Sequence, residues 1–426
     1  MIAGSSVYRG VPLNTSEVPQ SELNIENKFR SNPLTWSGQF SPQLIQVLLK
    51  TYAKRNTTLL DPFVGSGTVL LEAGRADLSA KGTEINPAAV ALSHIYEFIN
   101  VPHKRRSFHL NAIARVLSGE SLNNPPAYSE SPPANHQPAE GTIKASLVNL
   151  LPCIEDRLQC RLLEALVALL DFYRPGLSLD RISATWLRLA DLVIHLPYSA
   201  MPIEVYLADA RETPFRSSSI DLVVTSPPYI NVFNYHQQYR ASMEAMSWNL
   251  LKVARSEIGS NRKHRGNRFL TVIQYCLDMA QVFAELGRVC RPASRLIFIV
   301  GKESTVRGTR FFNGEIVAEV AHEVLGFDLI LRQERVFVNR YGQRIFEDIL
   351  HFCPPHKGSG ADLLVGAAKV AGIVLEAAYD SAPAEAKADL KFAVHHVEVV
   401  KPSPLFNLTK ILVPDEDLLV TGVANA

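Results

Sequence analysis

The chain has 426 residues, 47% hydrophobic and 20% charged, the profile of a folded protein with a full core rather than a disordered one. Lysine and arginine (43) nearly balance aspartate and glutamate (42), for a formal net charge of +1, so polyanion binding must come from a local patch. The opening MIAGSSVYRGVPLNTSE lacks a basic stretch followed by an apolar run, and no apolar stretch reaches membrane-span length. Cys153, Cys160, Cys276, Cys290 and Cys353 show neither CxxC nor Cys/His ligand spacing. Reduced thiols, no metal and a cytoplasmic location are expected.

In chain order, residues 1–30 are polar and turn-rich and read as an arm. FSPQLIQVLLKTYAKR, from Phe40, predicts a helix in which Ser41 caps, Pro42 suits the first turn, and Leu44, Val47 and Leu48 form one apolar stripe. TTLLD is a short strand running into the glycine turn PFVGSGT; VLLEAGRA reads as helix and AKGTEI as a second strand. Strand, glycine turn, helix, strand opens a doubly wound α/β sheet. Pro, Ser and Asn dominate 121–142 and mark a linker, whereas 144–195 is mostly helical, with Leu at three- and four-residue spacing. Residues 101–199 therefore read as an inserted helical subdomain. EVYLAD and SIDLVVTS resume the α/β pattern, followed by a long helix over 268–290 and the strand SRLIFIVG. FDLILRQERVFV and FEDILHFC form a closing strand pair. The main α/β domain is thus 31–100 plus 200–355. The Ala-rich tail, 356–426, predicts helices at 361–379 and 384–394 and carries no assigned chemistry.

Two motifs carry chemistry. In DPFVGSGT, Asp61 to Thr68, a strand stops at an acid and turns through Gly65 and Gly67 into a helix, which lets backbone approach a ligand and offers N–H groups to a carboxylate. Glu84 ends the next strand, where a carboxylate can accept from two ribose hydroxyls, and Asp209 ends the third, placed for an adenine amine. No Lys-Ser/Thr follows Gly67, which disfavours a phosphate loop. The second motif is Ser226-Pro227-Pro228-Tyr229, directly after SIDLVVT. Neither proline has an N–H, so the ladder cannot continue, and a stiff turn forms at the carboxyl edge of the sheet. That turn offers acceptors, the Ser226 hydroxyl and the Pro227 carbonyl, to an aromatic amine whose lone pair must be drawn out of its ring. Tyr229 adds a flat face on which an extruded base can stack.

The two motifs together resemble the DNA amino-methyltransferases, the N4-cytosine and N6-adenine enzymes of restriction–modification systems. The resemblance covers roughly 30–100 and 200–355. It implies a class I S-adenosylmethionine fold, a Rossmann-like seven-stranded sheet with its last strand antiparallel. It also implies S-adenosyl-L-methionine as cofactor, double-stranded DNA as substrate, and room for a cognate restriction endonuclease as partner. By the match, the cofactor set is Phe40, Ser41, Pro42, Asp61, Pro62, Phe63, Gly65, Gly67, Thr68, Glu84, Asn86, Asp209 and Ala210. The catalytic set is Ser226, Pro227, Pro228 and Tyr229. Family members spelled DPFxGSGT commonly place the catalytic motif first; here the cofactor motif leads, which moves target recognition into 101–199 or just after Tyr229. Ser at the head of the tetrad leans toward N4 of cytosine over N6 of adenine.

For DNA contact, Asn234, Tyr235, His236, Tyr239 and Arg240 follow the tetrad with a composition suited to stacking and base edges. Arg262, Lys263, Arg265 and Arg268 crowd one glycine-containing loop and suit phosphate. Lys104-Arg105-Arg106 is a shorter basic run. The rivals are an enzyme acting on an RNA base or a protein glutamine, and a silent DNA-recognition subunit.

Overall fold

A computed structural model describes residues 6–118, 139–230, 234–260, 264–339, 342–355 and 362–407. Its strands are β1 (Thr58–Asp61), β2 (Ser79–Glu84), β3 (Ile203–Leu207), β4 (Ile220–Thr225), β5 (Cys290–Gly301), the hairpin β6 (Glu303–Val306) and β7 (Thr309–Phe312), β8 (Asp328–Val338) and β9 (Arg344–Cys353). Seven of them form one sheet in the order β3-β2-β1-β4-β5-β9-β8. Every neighbouring pair from β3 to β5 is parallel, and β9 runs antiparallel to both β5 and β8. This is the seven-stranded class I arrangement expected from the sequence. The central strands are apolar on both faces because helices cover both: Leu59 and Leu60, Leu222 to Val224, and Leu296 to Val300 are at most 2% exposed. The chain leaves β1 toward β2 and leaves β4 toward β5, so the carboxyl ends of β1 and β4 flank the point where the strand order reverses and a ligand crevice opens.

The helix from Phe40 is Pro42–Tyr52, with Pro42 in its first turn as expected. Ser41 holds the N-cap position, yet its hydroxyl makes no capping bond and is buried without a partner. The long helix is Leu270–Val289, and the closing pair is β8–β9. Between β2 and β3 lie helices His103–Ser118, Glu140–Leu150, Arg157–Leu170 and Leu179–His195. Most of the expected linker falls outside the described residues, but Glu140 to Thr142 already belong to a helix. The helical segment is not a detached unit: Leu162, Leu163, Leu166 and Val167 share one core with Leu92, Ile95 and Ile99.

Arg106 shows how that join is made. The basic run Lys104-Arg105-Arg106 is a surface patch only in its first two residues; Arg106 is fully buried. Its Nε donates to Val101 O (2.8 Å), and its amino groups donate to Pro197 O (2.7 Å), Val193 O (3.3 Å), Ile99 O (3.4 Å) and Leu196 O. These are carbonyls at the C-terminal ends of two helical segments, where unpaired C=O groups and the dipole both favour a cation. A guanidinium with five donors in a fixed fork can satisfy several at once.

The first described residues and the helices after β9 are also built in. Tyr8 Oη donates to Asp348 Oδ1 (2.9 Å), Asn14 N to Arg332 O (2.8 Å) and Val336 N to Asn24 Oδ1 (2.8 Å). The expected arm thus covers the open edge of β8, whose unpaired backbone groups would otherwise be a pairing hazard. Helix Leu363–Ala378, in the expected tail, buries Ala367, Ala371 and Leu375 in the core that holds Phe283 and Leu286 of the long helix. Charge-assisted hydrogen bonds contribute about 1.5–3 kcal/mol each. Arg106→Met should therefore lower unfolding stability by about 3 kcal/mol or more in urea titrations, whereas Arg105→Met should leave it within about 0.5 kcal/mol.

Candidate functional site

A cleft opens over the carboxyl ends of β1, β2 and β4, where ligands bind in open α/β sheets. Ten of the expected residues line it from two stretches far apart in sequence: Phe40, Pro62, Phe63, Gly65, Thr68, Glu84 and Asn86 between residues 40 and 86, and Ser226, Pro228 and Tyr229 from the tetrad. Asp209 and Ala210 line it as well. Ser41, Pro42, Asp61, Gly67 and Pro227 do not; each lies in the element beside it.

Glu84, the last residue of β2, is held by backbone N–H groups: Ile85 N at 2.9 Å and Asn86 N at 3.0 Å donate to Oε1, and Gly65 N at 3.2 Å donates to Oε2. Burial pushes its pKa up to about 7 against those three donors. Asn86 Oδ1 caps helix Pro87–Ser93 through Ala88 N (3.0 Å), while its Nδ2 is buried without a partner. The two loop glycines do different work. Gly65 has φ +51°, and a Cβ there would meet the Trp36 ring at 3.2 Å, on the cleft side. Gly67 has φ +90°, and its Cβ would fall 2.5 Å from the ring of Tyr96, so it is required by helix packing and not by ligand approach.

Asp61 is fully buried behind the cleft wall. Thr225 Oγ1 donates to its Oδ1 at 2.6 Å and Phe63 N does so at 3.1 Å; its Oδ2 has no partner. Burial pushes this carboxyl up to about 7. The acid expected in the cofactor set is thus a strut between the glycine turn and the residue that precedes Ser226.

The diproline turn leaves β4 at Thr225. Ser226 Oγ and Tyr229 Oη are 3.1 Å apart, within hydrogen-bond reach. Two glycines accommodate Tyr229: a Cβ on Gly301 would meet its ring at 3.1 Å, and one on Gly259 would sit 2.7 Å from its carbonyl oxygen. Burial raises the Tyr229 phenol above its ordinary range, so it is neutral at physiological pH.

Several expected contacts lie elsewhere. Both Asp209 oxygens are already engaged, Oδ1 by Arg211 N (3.0 Å) and Arg211 Nε (2.9 Å), Oδ2 by Arg211 Nη2 (2.7 Å) and Phe406 N (2.9 Å). His236 is buried against Glu257 (2.8 Å), Tyr239 is buried with its hydroxyl donating to Thr35 O (3.0 Å), and Arg240 pairs with Glu244 (2.6 Å). His236 and Tyr239 are packing residues and not the DNA contacts that composition suggested, whereas Arg240 is part-exposed. Asn234 is exposed, and Tyr235 lines the cleft, stacked on Trp36 with centroids 6.5 Å apart at 12°. Arg265 and Arg268 are exposed, whereas Arg262 and Lys263 lie outside the described residues. Sequence reasoning missed Trp36, Gln39 and Glu257 in the lining. Nothing local marks them; a loop tryptophan and a glutamate after a helix become site residues only through the fold. Glu257 also has an oxygen, Oε1, that is buried without a partner. No Lys, Arg or His among the described residues lines this cleft, while Glu84, Asp209 and Glu257 all do.

Residues 12–94 match the DNA methylase family that groups the N6 and N4 enzymes. That span holds the helix Pro42–Tyr52, the glycine turn, Glu84 and Asn86. Over that span the chain is similar to the DNA amino-methyltransferases. It is an S-adenosylmethionine-dependent methyltransferase, and the unpartnered Asn86 Nδ2 and Glu257 Oε1 together with the acid-lined wall fit a cofactor that carries a carboxylate, an ammonium and a sulfonium. No curated protein sequence matches the methyltransferase significantly. Among solved structures it is similar to an S-adenosylmethionine-dependent methyltransferase from Methanosarcina mazei (12% identity, 73% of this chain and 98% of the other, TM-score 0.33). A protein from Pyrococcus horikoshii OT3 (11%, 73% and 88%, 0.31) and the rRNA methyltransferase AviRa from Streptomyces viridochromogenes (12%, 79% and 93%, 0.28) are also similar. Overlaps that low add nothing to the assignment. Among the described residues no helix is long and apolar enough to cross a membrane.

The buried carboxyls give the methyltransferase a pH signature. In the unfolded chain they titrate near pH 4, at about 4 to 4.3; in the folded protein Glu84 and Asp61 keep their protons up to pH about 7. The folded state binds more protons across that window, so ligand-free stability falls as pH rises from about 4 to about 7 and is level above. Glu84→Gln should flatten that slope in urea melts; a slope equal to wild type would mean Glu84 titrates normally.

Proposed function

We propose that the protein transfers a methyl group from S-adenosylmethionine to the exocyclic N4 amine of a cytosine flipped out of duplex DNA. The observation that carries this reading is that Ser226, Pro228 and Tyr229 face the same cleft as Gly65 and Glu84. Ser226, one of the two expected amine acceptors, therefore shares one space with the nucleoside-binding rim, so proximity and orientation can supply much of the rate. Phe40, Phe63, Gly65, Thr68, Glu84 and Asn86 hold the cofactor, which brings an electrophilic methyl group on a cationic sulfur.

The chain's own residues do the rest. Glu84, ionised above pH about 7, accepts from the ribose hydroxyls, so cofactor affinity rises with pH through that value. The Ser226 hydroxyl and the Pro227 carbonyl accept from the amine N–H groups, which draws nitrogen toward a pyramidal geometry and frees its lone pair. Tyr229 is neutral and acts as a stacking surface and as the partner that orients Ser226, not as a base.

Cytosine over adenine rests on Ser226 at the head of the tetrad, by resemblance to the N4-cytosine enzymes; N6 of adenine is the second reading within the same chemistry. A restriction–modification role, a cognate endonuclease and a cytoplasmic location follow the family resemblance. Incubating the protein with labelled S-adenosylmethionine and duplex DNA, then digesting the DNA, should yield N4-methylcytosine. N6-methyladenine in its place would overturn the cytosine assignment, and label in RNA or protein alone would overturn the DNA reading. Tyr229→Ala should lower methyl transfer by at least about a hundredfold with cofactor affinity changed less than about threefold; equal losses in both would make the tetrad structural.

A further inference from the structure

The cleft opens sideways into a second groove, and Trp36, Gln39 and Phe40 line both. Its far wall is the last part of β8, Arg335 to Val338, with Arg344 of β9. Gly301, the last residue of β5, pairs with Glu347, so residues 335–339 and 342–346 continue past the end of β5 on the active-site edge of the sheet. The charged side chains facing this groove are Lys28, Arg335 and Arg344, opposed by the single acid Glu26. Lys28 and Arg344 are exposed, and neither forms a salt bridge among the described residues. Arg335 is 4% exposed; its Nε contacts Glu347 (2.6 Å), its guanidinium lies 4.4 Å from the centroid of Phe337, and its Nη1 is buried without a partner. Arg335 thus adds buried positive charge to the groove wall, while the exposed Lys28 and Arg344 can reach a phosphate oxygen. Beside it Trp36, Phe40, Phe337 and the 64%-exposed Val338 supply apolar surface. By contrast, Arg30 and Arg75 in a neighbouring groove are both tied to buried Glu72, at 3.1 and 3.4 Å.

We propose that this groove seats the sugar–phosphate backbone of the DNA strand flanking the reacting base. Lys28 and Arg344 contact its phosphates, Arg335 adds positive charge from within the wall, and the aromatic wall supports the sugars and bases beside the extruded nucleotide. The proposal rests on the reading of the cleft as a DNA methylation site. It assigns DNA contact to the β8–β9 ribbon and the N-terminal segment, neither of which the sequence marked.

The test is binding of a short fluorescein-labelled duplex of random sequence to the full chain, followed by anisotropy across a salt series. Lys28→Gln and Arg344→Gln are combined, because both side chains are exposed and their loss leaves the fold intact. Affinity at low salt should fall by at least about tenfold, and the slope of log K on log salt should become shallower by about 2, the loss of two phosphate contacts. S-adenosylmethionine affinity, read by calorimetry, should stay within about twofold. Affinity and slope equal to wild type would overturn the proposal, as would the same change from Lys369→Gln with Lys391→Gln on the C-terminal helices. Wild-type binding to RNA and not to DNA would overturn DNA as the occupant. A wild type that methylates no DNA strikes the parent reading; a wild type that does, beside a groove variant equal to it, strikes the groove alone.

Discussion

One hydrogen bond joins the two halves of this protein's chemistry. Thr225 donates to Asp61 at 2.6 Å, across 164 residues of sequence, and so ties the last residue of β4 to the last residue of β1. Those strands are neighbours at the point where the sheet order reverses, which is where a crevice must open because the two crossovers depart in opposite directions. The same carboxyl accepts from Phe63 N in the glycine turn. A single buried acid thus sets the separation between the glycine loop and the diproline turn. A carboxyl can do this only where it is enclosed: an exposed one would exchange the threonine for water at little loss.

Electrostatics reinforces that geometry. Of the acids lining the cleft, Asp209 is paired with Arg211 and Glu257 is bonded to His236 behind the wall, whereas Glu84 is held by backbone N–H groups alone. Burying carboxyls without cations is unfavourable, and the raised pKa values of Glu84 and Asp61 express it. The unfavourable term is relieved by a ligand that brings positive charge and hydrogen-bond donors. The wall of the cleft is therefore tuned to its cofactor by being incomplete without it.

The outer layers serve the same end. Arg211, wholly buried, joins Asp209 to Asp278 (3.1 Å) and to the carbonyls of Ser403 (2.7 Å) and Pro404 (2.9 Å), while Ser403 donates to Asp278 through both N and Oγ at 2.7 Å. A segment near residue 403 thereby holds the loop after β3 against the cleft. Removing one member of such a network would strand a buried charge, so the C-terminal segment is part of the site's frame. The helical insert is joined to the core in a different way, by Arg106 collecting carbonyls at two helix ends.

The sequence alone determined what is local. Apolar runs between glycine and proline breaks located the strands, because a strand buried on both faces must be apolar throughout. DPFVGSGT and TSPPY announced their turns, because positive φ and missing N–H groups leave a trace in residue type. What depends on contacts between distant segments could not be read there. Asp61 looked like a cofactor acid and is a strut; Gly67 looked like a ligand glycine and is packed against Tyr96; Arg106 looked like a surface cation and is buried; His236 and Tyr239 looked exposed and are core. Trp36, Gln39 and Glu257 carried no local signal at all. Tertiary structure decided each of these, because a polar or aromatic side chain has the same identity whether its neighbour is water, a carbonyl or a ligand, and only the packed fold chooses among them.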